Sequence, residues 1–258
     1  MTAFPPAATP RPPAAPRRTG RAARVAAVCA ALTGVLAGCG AGDPDAGTNG
    51  VGKLPAATIE SKAQAAAKGA DSVHLSGNVV SQGGTYKLDM RLAKNGARGE
   101  LSTKAAGFQL LRIGDALYLK ADAAFWAGEK GGSGSASATA AKLGGKYVKV
   151  PAADPVYQRF SGFTDKDTLL AGLLGLHGAL TVGEHGSVSG VRTVRLTAGA
   201  GSGGNLDVSL EGAPYPLRLQ RAGGAGEVRL DDWGKSVDLK TPDDSQVVDY
   251  GKQIPGAG

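Results

Sequence analysis

The stretch that decides the fold is TYKLDMRLAKNGARGELST, residues 85–103. Over residues 85–93, apolar and charged side chains alternate, with Tyr86, Leu88, Met90 and Leu92 on one side and Lys87, Asp89 and Arg91 on the other. A strict period of two predicts a β-strand with one buried face. Asn95-Gly96 then predicts a tight turn, so that the following residues pair back as the second strand of a hairpin.

Short segments separated by turn residues continue on both sides of this hairpin. Gln82-Gly83-Gly84 predicts the turn from a preceding strand at 72–80. Further strands are predicted at 107–113, 116–121, 146–150, 190–197, 205–211, 215–221, 225–232 and 236–240. Many short strands at this spacing are typical of a meandering antiparallel sheet.

Two segments have helical patterns. Residues 55–68 are rich in Ala, with Pro55 suited to the first turn and Gly69 to the C-terminal stop. Residues 165–176 follow a capping-box spacing of Thr164 and Asp167. Their helix would place one apolar stripe on one face, formed by Leu169, Leu170, Leu173 and Leu174.

An apolar helix face needs an apolar partner, and the inner face of the predicted sheet is the obvious one. We therefore predict an α+β fold: a single curved antiparallel sheet, or half-barrel, with helices packed on its concave face. Residues 130–145 interrupt the strands as a low-complexity loop of small residues. No repeat and no charge run indicates a second domain.

The N-terminal residues are typical of an export signal. Five arginines and no acidic residue lie in the first 38 residues, and residues 25–38 are apolar or small. A helix of that length is about 20 Å long, which is too short to cross a bilayer comfortably. A basic segment before a short apolar one predicts a secretory signal peptide over residues 1–38. The alternative is a disordered tail that leads into a short buried helix.

The end of this signal is more specific, because Leu36-Ala37-Gly38-Cys39 has the pattern of a bacterial lipobox. The pattern predicts cleavage before Cys39 and acylation of its thiol, whereas the alternative is a free thiol. We expect residues 39–53 to be the acylated cysteine and a flexible Gly-rich tether. The folded domain then covers residues 54–250, with a tail at 251–258. The mature protein would be held at the extracytoplasmic face of the cell membrane.

Composition and charge exclude several classes of protein. The formal charge is +7, but it falls to +2 once the five N-terminal arginines are removed with the signal, so the charge gives no reason to expect nucleic acid as a partner. Two cysteines exclude a scaffold built from disulfides. The lack of any apolar run of about 18 residues excludes a polytopic membrane protein.

The sequence offers no convincing catalytic or metal-binding motif. It has three histidines without zincin spacing, no G-x-S-x-G and no Walker A motif, and a single mature cysteine cannot build a thiolate zinc site. Residues 199–204 satisfy G-x-G-x-x-G, but a strand follows instead of the helix that a dinucleotide requires. We expect the protein not to be an enzyme and to hold no metal.

Several segments resemble the LppX/LprG-type lipoproteins of actinobacteria, whose fold is similar to that of the periplasmic carrier LolA. The resemblance spans about residues 54–245 and follows the order lipobox, tether, Ala-rich helix and strand pairs. The segments that carry it are GDALYL at 114–119, Phe125-Trp126, GVRTVRL at 190–196, DWGKSV at 232–237 and Thr241-Pro242. The low-complexity loop at 130–145 departs from the family pattern.

The resemblance implies an apolar cavity that binds acyl chains of membrane lipids or lipoglycans, for carriage or export to the outer envelope. Our candidate lining residues are Leu88, Met90, Leu110, Leu117, Leu169 and Leu173. We expect no cofactor beyond covalent diacylglyceryl and N-acyl groups, such as palmitate, on Cys39. The expected partners are the membrane, a lipid or lipoglycan ligand and a membrane transporter. The alternative is a surface-anchored interaction or accessory module with a filled core and a protein partner, because the same residues would serve a filled core.

Overall fold

A computed structural model describes residues 45–81, 84–104, 106–128 and 140–249 of the chain. The predicted signal peptide, the lipobox residues Leu36 to Gly38 and the acylation site Cys39 lie outside the described residues. So do Gln82-Gly83 of a predicted turn, most of the predicted low-complexity loop and the predicted tail at 251–258.

The described residues form a single sheet of twelve strands in the order β12-β6-β5-β4-β3-β2-β1-β11-β10-β9-β8-β7. Each neighbouring pair is antiparallel except β6 and β12, which run parallel. The sheet does not close, because β7 and β12 are its two edges, and this confirms the predicted curved half-barrel. The strands are β1 Ser72–Ser81, β2 Gly84–Ala93, β3 Gly96–Ser102, β4 Gly107–Ile113, β5 Ala116–Ala121, β6 Tyr147–Val150, β7 Leu180–Val188, β8 Val191–Ala198, β9 Gly204–Ser209, β10 Pro216–Gln220, β11 Gly226–Asp231 and β12 Val247–Asp249.

Strand alternation divides the sheet into an apolar inner face and a charged outer face. The register places one inner row straight across six strands: Leu75, Met90, Gly99, Leu110, Leu119 and Val148. Gly99 leaves the space that the Met90 sulfur occupies, since a Cβ atom there would meet it. The period-two pattern read from residues 85–93 therefore marks the buried face correctly.

Five α-helical segments in the described ranges accompany the sheet: α1 Ala56–Gly69, α2 Ala123–Gly128, α3 at 140–143, α4 Pro155–Thr164 and α5 Lys166–Leu174. Buried residues recur every four positions on three of them, so each presents one narrow stripe to the core. These stripes are Ile59, Ala63 and Ala67 in α1, Val156, Phe160 and Thr164 in α4, and Lys166, Leu170 and Leu174 in α5. Helix α1 contacts α5, β7 and β10, whereas α4 contacts α5, β3 and β4.

Some sequence predictions differ from the structure. Helix α5 begins with Asp165, whose carboxylate accepts a hydrogen bond from the Thr168 backbone N–H at 2.8 Å, so the predicted capping box at Thr164 is wrong. Thr164 instead ends α4. Helix α4 and strand β7 were not predicted. The predicted strand at 236–240 has no regular structure.

The segment before α1 is tied to the sheet, in contrast to the predicted flexible tether. Arg192 of β8 donates hydrogen bonds to the carbonyls of Ala46 and Gly47 at 3.1 and 3.0 Å. The Asn49 backbone N–H donates to the Leu210 carbonyl at 2.8 Å, and the Asn49 amide donates to the Ser209 carbonyl at 3.1 Å. Residues 45–53 are therefore part of the folded unit. We call this segment the N-terminal clamp.

The outer face is crossed by the chain between β11 and β12, residues 232–246, which we call the crossover segment. Its start is fixed where Arg91 Nη1 lies 2.8 Å from Asp232 Oδ2 and the Ser72 hydroxyl donates to the Lys235 carbonyl. Arg98 donates to the Asp238 carbonyl at 3.2 Å farther along. The segment thus passes from the centre of the sheet to the edge at β6. None of the helices in the described ranges is long and apolar enough to cross a membrane.

Candidate functional site

The six predicted lining residues lie on the inner side of the sheet, but at two levels of burial. The strand residues Leu88, Met90, Leu110 and Leu117 are buried in the core. Leu169 and Leu173 of α5 pack against that core and are only half-buried, because Leu170 and Leu174 form the buried stripe of the helix. The structure therefore brings the six residues to one apolar layer between sheet and helices.

Arg112 joins that layer to the helices at one end of the sheet. It lies in the inner row of Leu92, Ala97 and Leu117, where its neighbours are apolar. Its Nε and Nη2 atoms donate to the Thr164 carbonyl at 3.2 and 2.9 Å, and Nη1 donates to the Gly114 carbonyl at 3.3 Å. The guanidinium thereby satisfies the last carbonyl of α4 and fixes the α4–α5 corner against β4.

Lys166 has a similar role between α1 and α5. Its side chain is 2% exposed, and its ammonium donates to the carbonyls of Ala67 and Lys68 at 3.4 and 3.3 Å and to Asp167 at 2.5 Å. A buried ammonium is tolerable because its donors are paired. The hydrogen bond from Thr168 N–H holds the pKa of the neighbouring Asp165 carboxyl below its usual value. Together these groups fix where α5 begins.

Aromatic rings gather at the opposite end of the inner face. Phe108 packs on Phe125 and Phe160 with ring centroids 5.3 and 5.1 Å apart, and Phe125 contacts Trp126 at 5.2 Å. The indole N–H of Trp126 is buried and has no hydrogen-bond partner in the part of the chain that the structure describes. The sequence indicated Phe125-Trp126 only as a motif, because the rings that surround it come from β4 and α4.

A cleft of about 620 Å³ lies on the outer face, beneath the crossover segment. It is bordered by Lys87, Asp89, Arg91, Arg98 and Glu100 of the sheet and by Asp238 and Lys240 of the crossover segment. Such mixed charge does not suit acyl chains, which need an apolar lining. The cleft is therefore distinct from the predicted lipid site and was not predicted from the sequence.

His74 lies on the outer face beside this cleft. Its Nδ1 is 2.8 Å from Asp231 Oδ1, and its Nε2 is 2.9 Å from Asp89 Oδ1. Together with Asp232 the group has the donor types of a metal site. However, Asp232 is hydrogen-bonded to Arg91 and Lys235, so the arrangement is already a network of ion pairs.

Comparison with known proteins finds similar solved structures. No family model matches the chain, and no curated protein matches it. The chain is similar to LprF from Mycobacterium bovis, with 18% identity, a TM-score of 0.49, and coverage of 72% of this chain and 96% of that one. An uncharacterized conserved protein from Thermus thermophilus has 10% identity and a TM-score of 0.36, with coverage of 76% and 99%. LprF is a lipoprotein of the LppX/LprG family, which is the family that the sequence motifs resemble. Neither similarity assigns a function to this chain.

Proposed function

We propose that the protein is an extracytoplasmic lipoprotein that binds the acyl chains of a membrane lipid or lipoglycan between the inner face of its sheet and helices α1, α4 and α5. The bound lipid would be carried or exported toward the outer envelope. The membrane anchor would be a diacylglyceryl group on Cys39, and a membrane transporter would be the partner that supplies or receives the lipid.

The observation that carries the proposal is the continuous apolar layer across the sheet. Its central row has Leu, Met, Gly and Val side chains from β1 to β6, and no charged group interrupts it. Arg112, Asp154 and Lys166 lie beside this layer, and all three are engaged with helix ends. Each methylene that moves from water into such a layer contributes about 0.8 kcal/mol, so a long acyl chain would bind well.

Entry of an acyl chain requires the helices to move away from the sheet, because Met90, Leu110 and Leu117 are packed in the core. Helix α5 is suited to such a movement. Its residues Leu169 and Leu173 are only half-buried, and the elements that it contacts most are α1 and α4. The movement would exchange contacts with Leu170 and Leu174 for contacts with the ligand.

The binding site is tested by filling it. Leu173→Trp adds a large side chain to the face of α5 that we assign to the ligand, whereas Ala171→Trp adds the same side chain to the exposed face of that helix. We expect Leu173→Trp to weaken binding of a fluorescent fatty-acyl probe about tenfold, since the indole takes the place of about two methylenes. Ala171→Trp should bind as the unaltered protein does. Equal affinity in a folded Leu173→Trp variant would remove α5 from the site.

The outer cleft supports a second candidate function. A polar cleft of about 620 Å³, bordered by charged residues of both signs, fits a surface-anchored module that binds a polar partner while its core stays filled. The two candidates differ in one measurable property. The lipid carrier takes up acyl probes, and the interaction module does not.

A further inference from the structure

The N-terminal clamp lies at one end of the sheet. One end of the strands, which we call the anchor end, has the turns at 94–95, 114–115 and 189–190 and the loop at 210–215. The opposite end, which we call the far end, has the turn between β3 and β4 and the turns at 199–203 and 221–225. Strand β1 runs between the two ends, and its ten residues span about 30 Å.

All of the clamp contacts with the sheet that the structure describes are at the anchor end. Arg192, at the start of β8, holds Ala46 and Gly47. Asn49 bonds to Ser209, Leu210 and Gly212, at the end of β9 and in the loop that follows. His185 of β7 lies 3.1 Å from Asp45, and Val51 is buried in the core. Asp45, the first residue that the structure describes, therefore lies beside the anchor end.

The length of chain outside the clamp limits how far this end can lie from the anchor. Six residue steps separate Cys39 from Asp45 in the sequence, which extend over at most about 20 Å. A tether that ran freely to α1 would have more than twice that reach, and it would leave the orientation of the domain open. The clamp removes that freedom.

We propose that the anchor end of the sheet faces the phospholipid bilayer that holds the acylated Cys39, with the far end directed away from it. This inference rests on the anchor in the proposed function. The partner of this surface is the bilayer itself, because six residue steps hold Asp45 within about 20 Å of the acylated Cys39. Arg112 and the α4–α5 corner that it holds belong to the same end, since Arg112 bonds to Gly114 in the 114–115 turn. A lipid would then pass directly between membrane and inner layer.

The orientation is tested by energy transfer on vesicles. Full-length chain, processed and acylated in a bacterial host, is reconstituted in phosphatidylglycerol–phosphatidylcholine vesicles that carry an acceptor dye on a lipid headgroup. Donor dyes are placed on single cysteines at the anchor end (Ala213→Cys, Asn95→Cys) or the far end (Lys104→Cys, Arg221→Cys), all exposed positions. We expect about twofold stronger donor quenching at the anchor end, because about 30 Å separates the two ends.

A second variant tests the clamp. Asn49→Ala combined with Arg192→Ala removes the side-chain hydrogen bonds that hold residues 46–49, and it should reduce the difference between the two ends. Arg229→Ala changes an exposed arginine that pairs with Glu227 on the outer face, and it should leave the difference unchanged.

The outcomes separate this inference from the proposed function. Equal quenching at both ends of a chain that floats with the vesicles overturns the orientation and leaves the anchor intact. A chain that does not float overturns the anchor and the orientation together. Binding of acyl probes is measured separately, so its failure would leave the orientation standing.

Discussion

Gly77 of β1 lies so close to the Glu227 carbonyl of β11 that a Cβ atom at position 77 would overlap with that oxygen. Its φ of +149° is one that side chains rarely adopt. We expect Gly77→Ala to lower the free energy of unfolding by about 1–3 kcal/mol, measured by chemical denaturation. Gly172→Ala is the matched control, because nothing surrounds that position in α5 and alanine favours a helix by about 1 kcal/mol. A Gly77→Ala variant as stable as the parent would show that the two strands separate easily.

Asp207 holds three strands together on the outer face. Its side chain is 3% exposed and accepts hydrogen bonds from Arg195 Nε at 2.8 Å and Arg218 Nε at 2.6 Å. Asp207→Asn would leave two guanidinium groups facing a neutral amide, so we expect a loss of about 3 kcal/mol or more in unfolding free energy. Glu227→Gln, at a partly exposed pair, should change it by less than about 0.5 kcal/mol. Similar losses in both variants would contradict this assignment.

Asp232 makes the start of the crossover segment sensitive to acid. Hydrogen bonds from Lys235 and Arg91 lower the pKa of its carboxyl to about 2. Because this pKa is below that of an unfolded aspartate, about 3.9, the carboxylate stabilises the fold above that pH, and the contribution is lost as the pH falls toward about 2. An NMR titration should place the Asp232 midpoint at about 2.

The corresponding variant is Asp232→Asn, because asparagine also tolerates the φ of +51° at this position. We expect it to remove part of the stability difference between about pH 5 and about pH 2, whereas Asp244→Asn in the turn before β12 should leave that difference unchanged. A midpoint of about 4 for Asp232, the value of an unperturbed aspartate, would show that its ion pairs do not form in solution.

Arg112 ties the α4–α5 corner to β4. Arg112→Met removes the donors to Thr164 and Gly114 and leaves the end of α4 without its partner, at a cost of about 2 kcal/mol. In stopped-flow experiments, we expect faster uptake of an acyl probe. Arg98→Met, on the outer face of the neighbouring strand, should leave the uptake rate unchanged. Unchanged or slower uptake in Arg112→Met would mean that the α4–α5 corner does not limit entry.

The hairpin around Asn95-Gly96 could be predicted because its alternation is local, and the same is true of α1. Strand β7 was not predicted because, as an edge strand, most of its residues are exposed on both faces and no alternation remains. Residues 236–240 do alternate, but the segment crosses the face of a sheet whose strands are already paired on both sides, so it has no edge to join. Helix α4 could have been found from the cap at Asp154 followed by Pro155.

The candidate site was only partly predictable, because much of it depends on contacts between residues that are far apart in the sequence. Leu88 and Met90 follow from the strand pattern, but the roles of Arg112 and Lys166 depend on carbonyls 52 and 99 positions away in the sequence. The outer cleft depends on the path of the crossover segment, and the clamp depends on contacts between residues 45–53 and β7 to β9. From its composition, the segment 45–53 could be recognised only as Gly-rich, and its contacts with the sheet could not be predicted.

The most direct test of the central claim is the mass of the folded protein. Residues 40–258 would be produced without the predicted signal and acylated cysteine, incubated with lipids from the organism that makes the protein, and measured by native and denaturing mass spectrometry. We predict a stoichiometric lipid that stays bound in the native spectrum and is released on denaturation. A native mass equal to that of the chain alone would contradict the lipid-carrier account and favour the interaction module.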